Sequence, residues 1–360
     1  MLAGKYRVER VLGAGGMGMV VAARHVQLGQ RVALKFMLKE AMADPSHAER
    51  FAREARSAVQ LQSPHTAKVL DVGKLKNGEP FMVMEYLEGK DLDDVLRAHG
   101  PMPPHVAVSY LLQACEALAE AHGLGMIHRD IKLKNLFLTS TLDGRPLVKV
   151  LDFGLAKTVG PNGDVSLTAT SAVFGSPQYM SPEQMRSAKD VDARSDIWSL
   201  GVCLYEMLTG RVPFDAGGLA EICAMVLKDP VVPPSRWAPL VPPDLEAIVL
   251  RCLEKDPAAR FQSIADLAFA LEPFAEDTGS ARRILNVMQT AQRQVQAIPT
   301  LVTVDVPPEA GTLPTQIGNV KTMSAWDSGD ARTRPTLRRL PIVSIVGATS
   351  AVLLLIGLVL

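Results

Sequence analysis

His128-Arg129-Asp130-Ile131-Lys132-Leu133-Lys134-Asn135 is followed, after 16 intervening residues, by Asp152-Phe153-Gly154. Both segments adjoin short apolar runs, so both place carboxylates in loops at the ends of buried elements. The residue types are complementary. One carboxylate can orient an attacking hydroxyl, a second carboxylate and an amide oxygen can hold a divalent cation, and a lysine can neutralise charge on a transferred group. That set is what phosphoryl transfer requires.

Upstream, residues 5–40 alternate in a strand-like way around a glycine cluster. Tyr6, Val8 and Val11-Leu12 lead into Gly13-Ala14-Gly15-Gly16-Met17-Gly18, and Val20-Val21-Ala22 and Val32-Ala33-Leu34-Lys35-Phe36 follow. Three antiparallel strands are predicted. Gly13-x-Gly15-x-x-Gly18 thus lies between two strands, which argues against a dinucleotide-binding fold, where a helix would follow. Between strands the glycines let a hairpin close over polyphosphate and offer backbone N–H groups. Lys35 ends an apolar strand and can present one cation in a cleft. Glu54, 19 residues on, lies in an amphipathic helix predicted over 46–61 and is its candidate partner.

Short strands are predicted at Val69–Val72 and Phe81–Tyr86, with Asn77-Gly78 turning between them. After Gly89 the pattern becomes helical, with runs at 91–98, 106–122, 190–210, 217–228, 243–254 and 261–272. The fold class is therefore α+β and bilobal, with a small β-rich N-lobe over residues 1–86 and a larger α-helical C-lobe over residues 90–275. A ligand cleft is expected between the lobes.

Lys+Arg and Asp+Glu both total 38, so the formal net charge is zero, and no nucleic acid is expected as a partner. Cys115, Cys203, Cys223 and Cys252 are too widely spaced for a zinc site and read as buried or half-buried thiols in a reducing compartment.

These motifs, in this order, resemble the eukaryotic-type serine/threonine protein kinases of bacteria, and the resemblance covers residues 5 to about 272. It implies the protein-kinase fold, with ATP as phosphoryl donor, Mg²⁺ or in its place Mn²⁺ as cofactor, and protein Ser/Thr hydroxyls as acceptors. Leu12, Gly13, Ala14, Gly15, Gly16, Met17 and Gly18 would cover the phosphates. Val20 and Ala33 would lie above the adenine and Phe137 beneath it. Lys35 would contact the α- and β-phosphates and pair with Glu54. Met84 would stand at the gatekeeper position, and Glu85 and Leu87 would meet the adenine edge through their backbones. Asp91 would touch ribose or substrate.

For the chemistry, the resemblance implies Asp130 as acceptor of the substrate proton and Lys132 as stabiliser of the transferring phosphoryl. Asn135 and Asp152 would be the metal ligands. His128 and Phe153 would stack between the lobes. Glu183 of Ser181-Pro182-Glu183 would pair with Arg260, and Asp196 would hold the catalytic-loop backbone. Lys132, two residues after Asp130, points to Ser/Thr rather than Tyr acceptors. Arg129, directly before Asp130, marks kinases controlled by phosphorylation of the activation segment. Thr168, Thr170 and Ser171 are the expected sites, modified in trans by a second copy in a transient or ligand-induced dimer.

Two positions depart from the family pattern. Leu133 stands where proline is usual, with modest loss of loop rigidity expected, and Ser176 stands where threonine is usual, keeping the hydroxyl. The complete set Lys35, Glu54, Asp130, Asn135 and Asp152 argues against a catalytically dead scaffold. The full segment from Asp152 to Glu183, with Arg260, argues against a small-molecule kinase.

Residues 276–340 shift to Pro, Thr and Gly after a short helix over 281–296 and read as a flexible juxtamembrane linker. Pro341–Leu360 is an uncharged run of 20 residues, long enough as a helix for a bilayer core of about 30 Å. Arg332, Arg334, Arg338 and Arg339 precede it and favour a cytoplasmic kinase domain. The expectation is a single-pass protein of the cell membrane in signalling, its chain either a tail anchor ending at the far face or, the favoured reading, cut from a longer protein after the span. The N-terminus lacks the pattern of a signal peptide.

Overall fold

The structure, a computed structural model, describes residues 1–15, 18–37, 51, 55, 58–75, 78–153, 176–187 and 190–296. An antiparallel five-stranded sheet comes first, with β1 (Tyr6–Gly15), β2 (Gly18–His25), β3 (Arg31–Met37), β4 (Val69–Lys74) and β5 (Pro80–Glu85) in the spatial order β1-β2-β3-β5-β4. Strand periodicity sorts the side chains of β3. Val32, Leu34 and Phe36 join Tyr6, Val21, Ala23, Phe81 and Val83 in one apolar cluster. Ala33, Lys35 and Met37 fall on the other face, where Met37 packs with Phe51, Ala55 and Met82. Because both faces are covered, six consecutive residues of β3 are buried.

The second part is mainly helical. After the short strand β6 (Lys90–Asp91) come α1 (Leu92–His99) and α2 (Pro104–Gly123), with Pro104 opening α2 where its missing N–H costs nothing. Strands β7 (Leu136–Ser140) and β8 (Pro146–Val150) complete a three-stranded sheet, β6-β7-β8. Then follow α3 (Pro182–Arg186), α4 (Ala193–Thr209), α5 (Leu219–Lys228), α6 (Pro243–Cys252) and α7 (Ile264–Leu271). Helix α4 is buried around nearly its whole circumference, and Ile197, Trp198, Leu200, Val202, Cys203 and Leu204 are all fully buried. A helix of that kind belongs at the centre of a core, and α2 and α6 pack against it. Gly210, in the left-handed region at φ 72°, ends it.

The structure moves one boundary. Helix α8 (Ser280–Gln296) does not belong to a linker beginning at residue 276 but packs on the helical part, burying Ala281, Ile284 and Ala291. Its seat is Gly123 at the end of α2. A Cβ there would come within 2.6 Å of both the Ala291 Cβ and the Met288 carbonyl, so only glycine admits this approach. Packing therefore extends at least to Ala291. The rest of the expected linker and Pro341–Leu360 lie outside the described residues. Among those described, no helix is long and apolar enough to cross a membrane.

All four cysteines are free, with Cys115, Cys203 and Cys252 buried and Cys223 half-buried. Burial pushes the Cys252 thiol up to about 12 and Cys115 higher still, so neither is a ready nucleophile.

Candidate active site

The loop before β7 folds around its own polar groups. Lys132 Nζ donates to Asp130 Oδ2 at 2.8 Å. Asn135 sits in a single 3₁₀ turn, Leu133–Asn135, and its Nδ2 donates to the Asp130 carbonyl at 2.7 Å and to Oδ2 at 3.2 Å. These bonds hold Asp130 from two sides, and they orient the Asn135 amide with its nitrogen on Asp130. Leu133 is fully buried in the main core. The side chain that replaces the usual proline is thus held by packing rather than by a ring.

Asp152 follows β8 with φ 58°, a conformation that Asp and Asn tolerate better than other side chains. Its Oδ1 accepts from Lys35 Nζ at 2.6 Å. Burial raises the cost of its charge, but the Lys35 ammonium outweighs burial and holds the carboxyl below the usual range. Lys35 is brought there by β3, on the strand face opposite the Leu34 cluster. Register places Val20 opposite Lys35, and Ala33 between Ala22 and Met84. The structure thus forms two sets, Lys35 with Asp152 and Asp130 with Lys132 and Asn135, tied by the Leu151 N–H donating to the Asn135 carbonyl at 2.8 Å.

Hydrogen-bond roles assign the His128 ring. Its Nδ1 accepts the Asp130 N–H at 3.3 Å, so Nε2 carries the proton and donates to the Leu151 carbonyl at 2.8 Å. The ring lies edge-on to Phe153, centroids 4.8 Å apart. Asp196, fully buried at the start of α4, accepts from the backbone N–H of His128 at 2.9 Å and of Arg129 at 2.8 Å. His122 Nε2 sits 2.8 Å from the same carboxylate. Burial opposes its charge, and the His122 contact and the backbone donors outweigh that, holding Asp196 below the ordinary carboxylate range. These anchors steady Arg129 at φ 64°, where a non-glycine residue is rare.

The remaining candidates divide. Glu183 and Arg260 form a bidentate pair at 2.7 and 2.8 Å. Ala33 is buried, Val20 and Phe137 are half-buried, and Leu12, Gly13 and Ala14 are exposed on β1. Gly15 pairs with Gly18, and a Cβ at Gly18 would lie 2.4 Å from the Phe36 carbonyl. Glu85 ends β5, and Leu87 follows it, half-buried. Asp91 uses one carboxylate oxygen to cap α1 through the Asp94 N–H at 2.8 Å. Asp91, Asp93 and Asp94 bring carboxylates within 4.8 Å of one another. Capping by Asp91 and an ion pair of Asp93 with Arg97 at 3.0 Å account for two of them. Among the described residues no bond joins the Ser176 hydroxyl to Asp130 or Lys132. Glu54, Gly16, Met17, Thr168, Thr170 and Ser171 lie outside the described residues.

Two contributors were not singled out from sequence. Gln184 closes a capping box with Ser181 at the start of α3, and its Nε2 donates to the Arg129 carbonyl at 2.9 Å. The Ser181-x-x-Gln184 spacing was the available signal. His122, at the end of α2, had none.

Comparison with known proteins reaches the same site. The protein kinase domain family matches residues 6–272, which contain every residue of the group just described. The chain belongs to the protein kinase family. Within it the chain falls among the bacterial serine/threonine kinases of eukaryotic type. It is 39% identical over 269 residues to the serine/threonine-protein kinase PknB of Mycobacterium leprae, a match covering 74% of this chain and 42% of that one. With the serine/threonine-protein kinase pkn3 of Myxococcus xanthus it shares 36% identity over 343 residues, covering 94% of this chain and 61% of that one. The chain thus spans less than half the length of the PknB relative. A solved structure of the PknI kinase domain of Mycobacterium tuberculosis matches with a TM-score of 0.60 at 27% identity, over 76% of this chain and 96% of that one. The bilobal protein-kinase fold predicted from the motifs is the fold observed.

Proposed function

We propose that this chain transfers the γ-phosphoryl group of ATP to serine and threonine hydroxyls of proteins, with Mg²⁺ as the metal. The observation that carries the reading is the pair of neighbouring sets in which Lys35 meets Asp152 at 2.6 Å and Lys132 and Asn135 both meet Asp130, tied by the Leu151 N–H on the Asn135 carbonyl. Asp130 takes the proton of the acceptor hydroxyl. The acceptor oxygen bonds to the γ-phosphorus, the bond to the β–γ bridging oxygen breaks, and ADP leaves. Lys132 neutralises charge on the transferring group, and Lys35 holds the α- and β-phosphates. Asn135 and Asp152 offer an amide oxygen and a carboxylate, hard donors that suit Mg²⁺. The metal, when bound, neutralises phosphate charge. Gly13, Gly15 and Gly18 cover the phosphates, and Val20, Ala33, Phe137, Glu85 and Leu87 hold the base.

Activation by self-phosphorylation in trans at Thr168, Thr170 and Ser171 follows from Arg129. Its backbone is fixed by Asp196 and Gln184, and no ion pair to its guanidinium is present among the described residues. A phosphate carrying about −1.5 to −2 charges can dock there and order the segment. The test strips the full chain with a phosphatase, adds Mg-ATP and a basic protein substrate, and follows site occupancy and labelled phosphate over time. Wild type should accelerate while the Thr168→Ala/Thr170→Ala/Ser171→Ala variant stays slow. A variant reaching the wild-type rate removes the switch, and absence of any transfer by wild type removes the kinase reading.

The same chain is proposed to be held at the cell membrane by Pro341–Leu360, with residues 1–340 cytoplasmic. Similarity to the Myxococcus kinase over 94% of this chain reaches beyond residues 6–272. Fractionation of cells expressing the chain with and without residues 341–360 should move the shortened form to the soluble fraction. Equal soluble recovery would end the proposal.

A further inference from the structure

Lys149 is 6% exposed on β8, between Val148 and Val150, which are fully buried. An ammonium in such a position is costly unless it is paired and hydrogen-bonded. Its Nζ donates to Glu85 Oε1 at 2.8 Å and approaches the Thr66 carbonyl at 3.3 Å. The same Glu85 oxygen accepts the Lys68 N–H at 2.7 Å, and the Glu85 N–H donates to the Lys68 carbonyl at 3.0 Å. Glu85 is therefore fixed through both its carboxylate and its backbone. The Lys149 backbone, meanwhile, pairs with Phe137 across β7–β8. Three residues later the chain reaches Asp152. One side chain thus ties the residue at the end of β5 to the strand pair that carries Phe137 and that delivers Asp152.

We propose that Lys149 is a positioning residue for the nucleotide base. By holding Glu85 against β8 it sets the spacing between the base-edge segment Glu85–Leu87 and Phe137 beneath. This rests on the reading of those residues as the adenine site. Without the ammonium, the Glu85 carboxylate keeps only the Lys68 N–H and swings toward water, and the segment it begins moves with it. The phosphate-side groups Lys35, Asp130 and Lys132 are untouched. The loss therefore falls on base affinity rather than on the chemical step.

Lys149→Met keeps the apolar stem and removes the charge. In the full chain, adenosine binding measured by calorimetry should weaken about tenfold, and KM for ATP should rise by a similar factor. The kcat at saturating ATP should stay within about threefold. Lys149→Arg, which can still reach the carboxylate, should restore adenosine affinity to within about threefold. Adenosine has no phosphates, so its binding reads the base site alone. A folded Lys149→Met protein that binds adenosine within about twofold of wild type would overturn the proposal and leave Lys149 a stabilising residue only. If Lys149→Met does not fold, Glu85→Gln decides: it keeps the shape, removes the charge, and should weaken adenosine by more than about threefold, whereas unchanged affinity overturns the idea. A wild-type chain that binds no adenosine and transfers no phosphate would instead defeat the kinase reading.

Discussion

Replacing Asp152 by asparagine is expected to cut phosphoryl transfer about a thousandfold, roughly 4 kcal/mol of transition-state stabilisation, while leaving the fold in place. Asparagine is the informative substitution because residue 152 sits at φ 58°. Alanine there would add about 1–2 kcal/mol of backbone strain and confuse the result, whereas Asn tolerates the left-handed region. The amide keeps an oxygen for Lys35 but loses the charge. That charge has two uses in the proposed mechanism. It pairs with Lys35 at 2.6 Å, and it is the anionic ligand of the metal site beside the neutral Asn135. Neither use is replaced by a neutral amide. Labelled phosphate transferred to a basic protein measures the first consequence, and circular dichroism is the control for folding. Activity within about tenfold of wild type in a folded protein would defeat the assignment of Asp152 as a metal ligand.

Residues that act through contiguous chemistry were readable in advance. Asp130, Lys132 and Asn135 lie within six residues of chain, and their mutual bonds close inside one loop. The strand faces of β3 followed from a period of two, so the placement of Lys35 opposite the Leu34 cluster was already implied. Residues that act through distance were not. Gln184 meets a carbonyl 55 residues away, Lys149 a carboxylate 64 away, and His122 a carboxylate 74 away. No local pattern encodes such partners. Asp196, Glu183 and Arg260 share that remoteness and were visible only because the motifs around them resemble a known family. Helix α8 shows a third kind of limit. Ala281, Ile284, Met288 and Ala291 mark an apolar face on a helix. Where Met288 and Ala291 dock, the seat is Gly123, and an absent side chain leaves no signal of its own.

Arg260→Ala is expected to destabilise the helical lobe by about 3–5 kcal/mol at neutral pH. Arg260 is 1% exposed, and every polar group of its guanidinium is in use. Besides the two bonds to Glu183, Nε donates to the Glu254 carbonyl at 2.8 Å and Nη1 to the Arg194 carbonyl at 3.1 Å. Glu183 is held from a third side by the Ser195 hydroxyl at 2.6 Å. Removing the arginine leaves a buried carboxylate with one hydroxyl donor and empties a packed volume beneath Trp198, whose ring lies 5.0 Å from the guanidinium. Burial works against the Glu183 charge, and Arg260 outweighs it, so the carboxyl sits below its ordinary range. A carboxyl depressed in the folded state contributes stability that is present above its unfolded value of about 4.3 and lost as pH falls through the folded value. In Arg260→Ala that depression disappears, and protonating Glu183 relieves the unpaired charge. The deficit of the variant should therefore be largest near pH 7 and shrink below about pH 4. Urea unfolding at the two pH values measures it. The change should also reach the catalytic loop, because Glu183 and Gln184 share the short helix α3 and Gln184 holds the Arg129 carbonyl at 2.9 Å. Loosened α3 lets that carbonyl go, and phosphate transfer should fall with stability. A loss under about 1 kcal/mol, or a deficit that grows on acidification, would mean that the pair is not what fixes this corner of the fold.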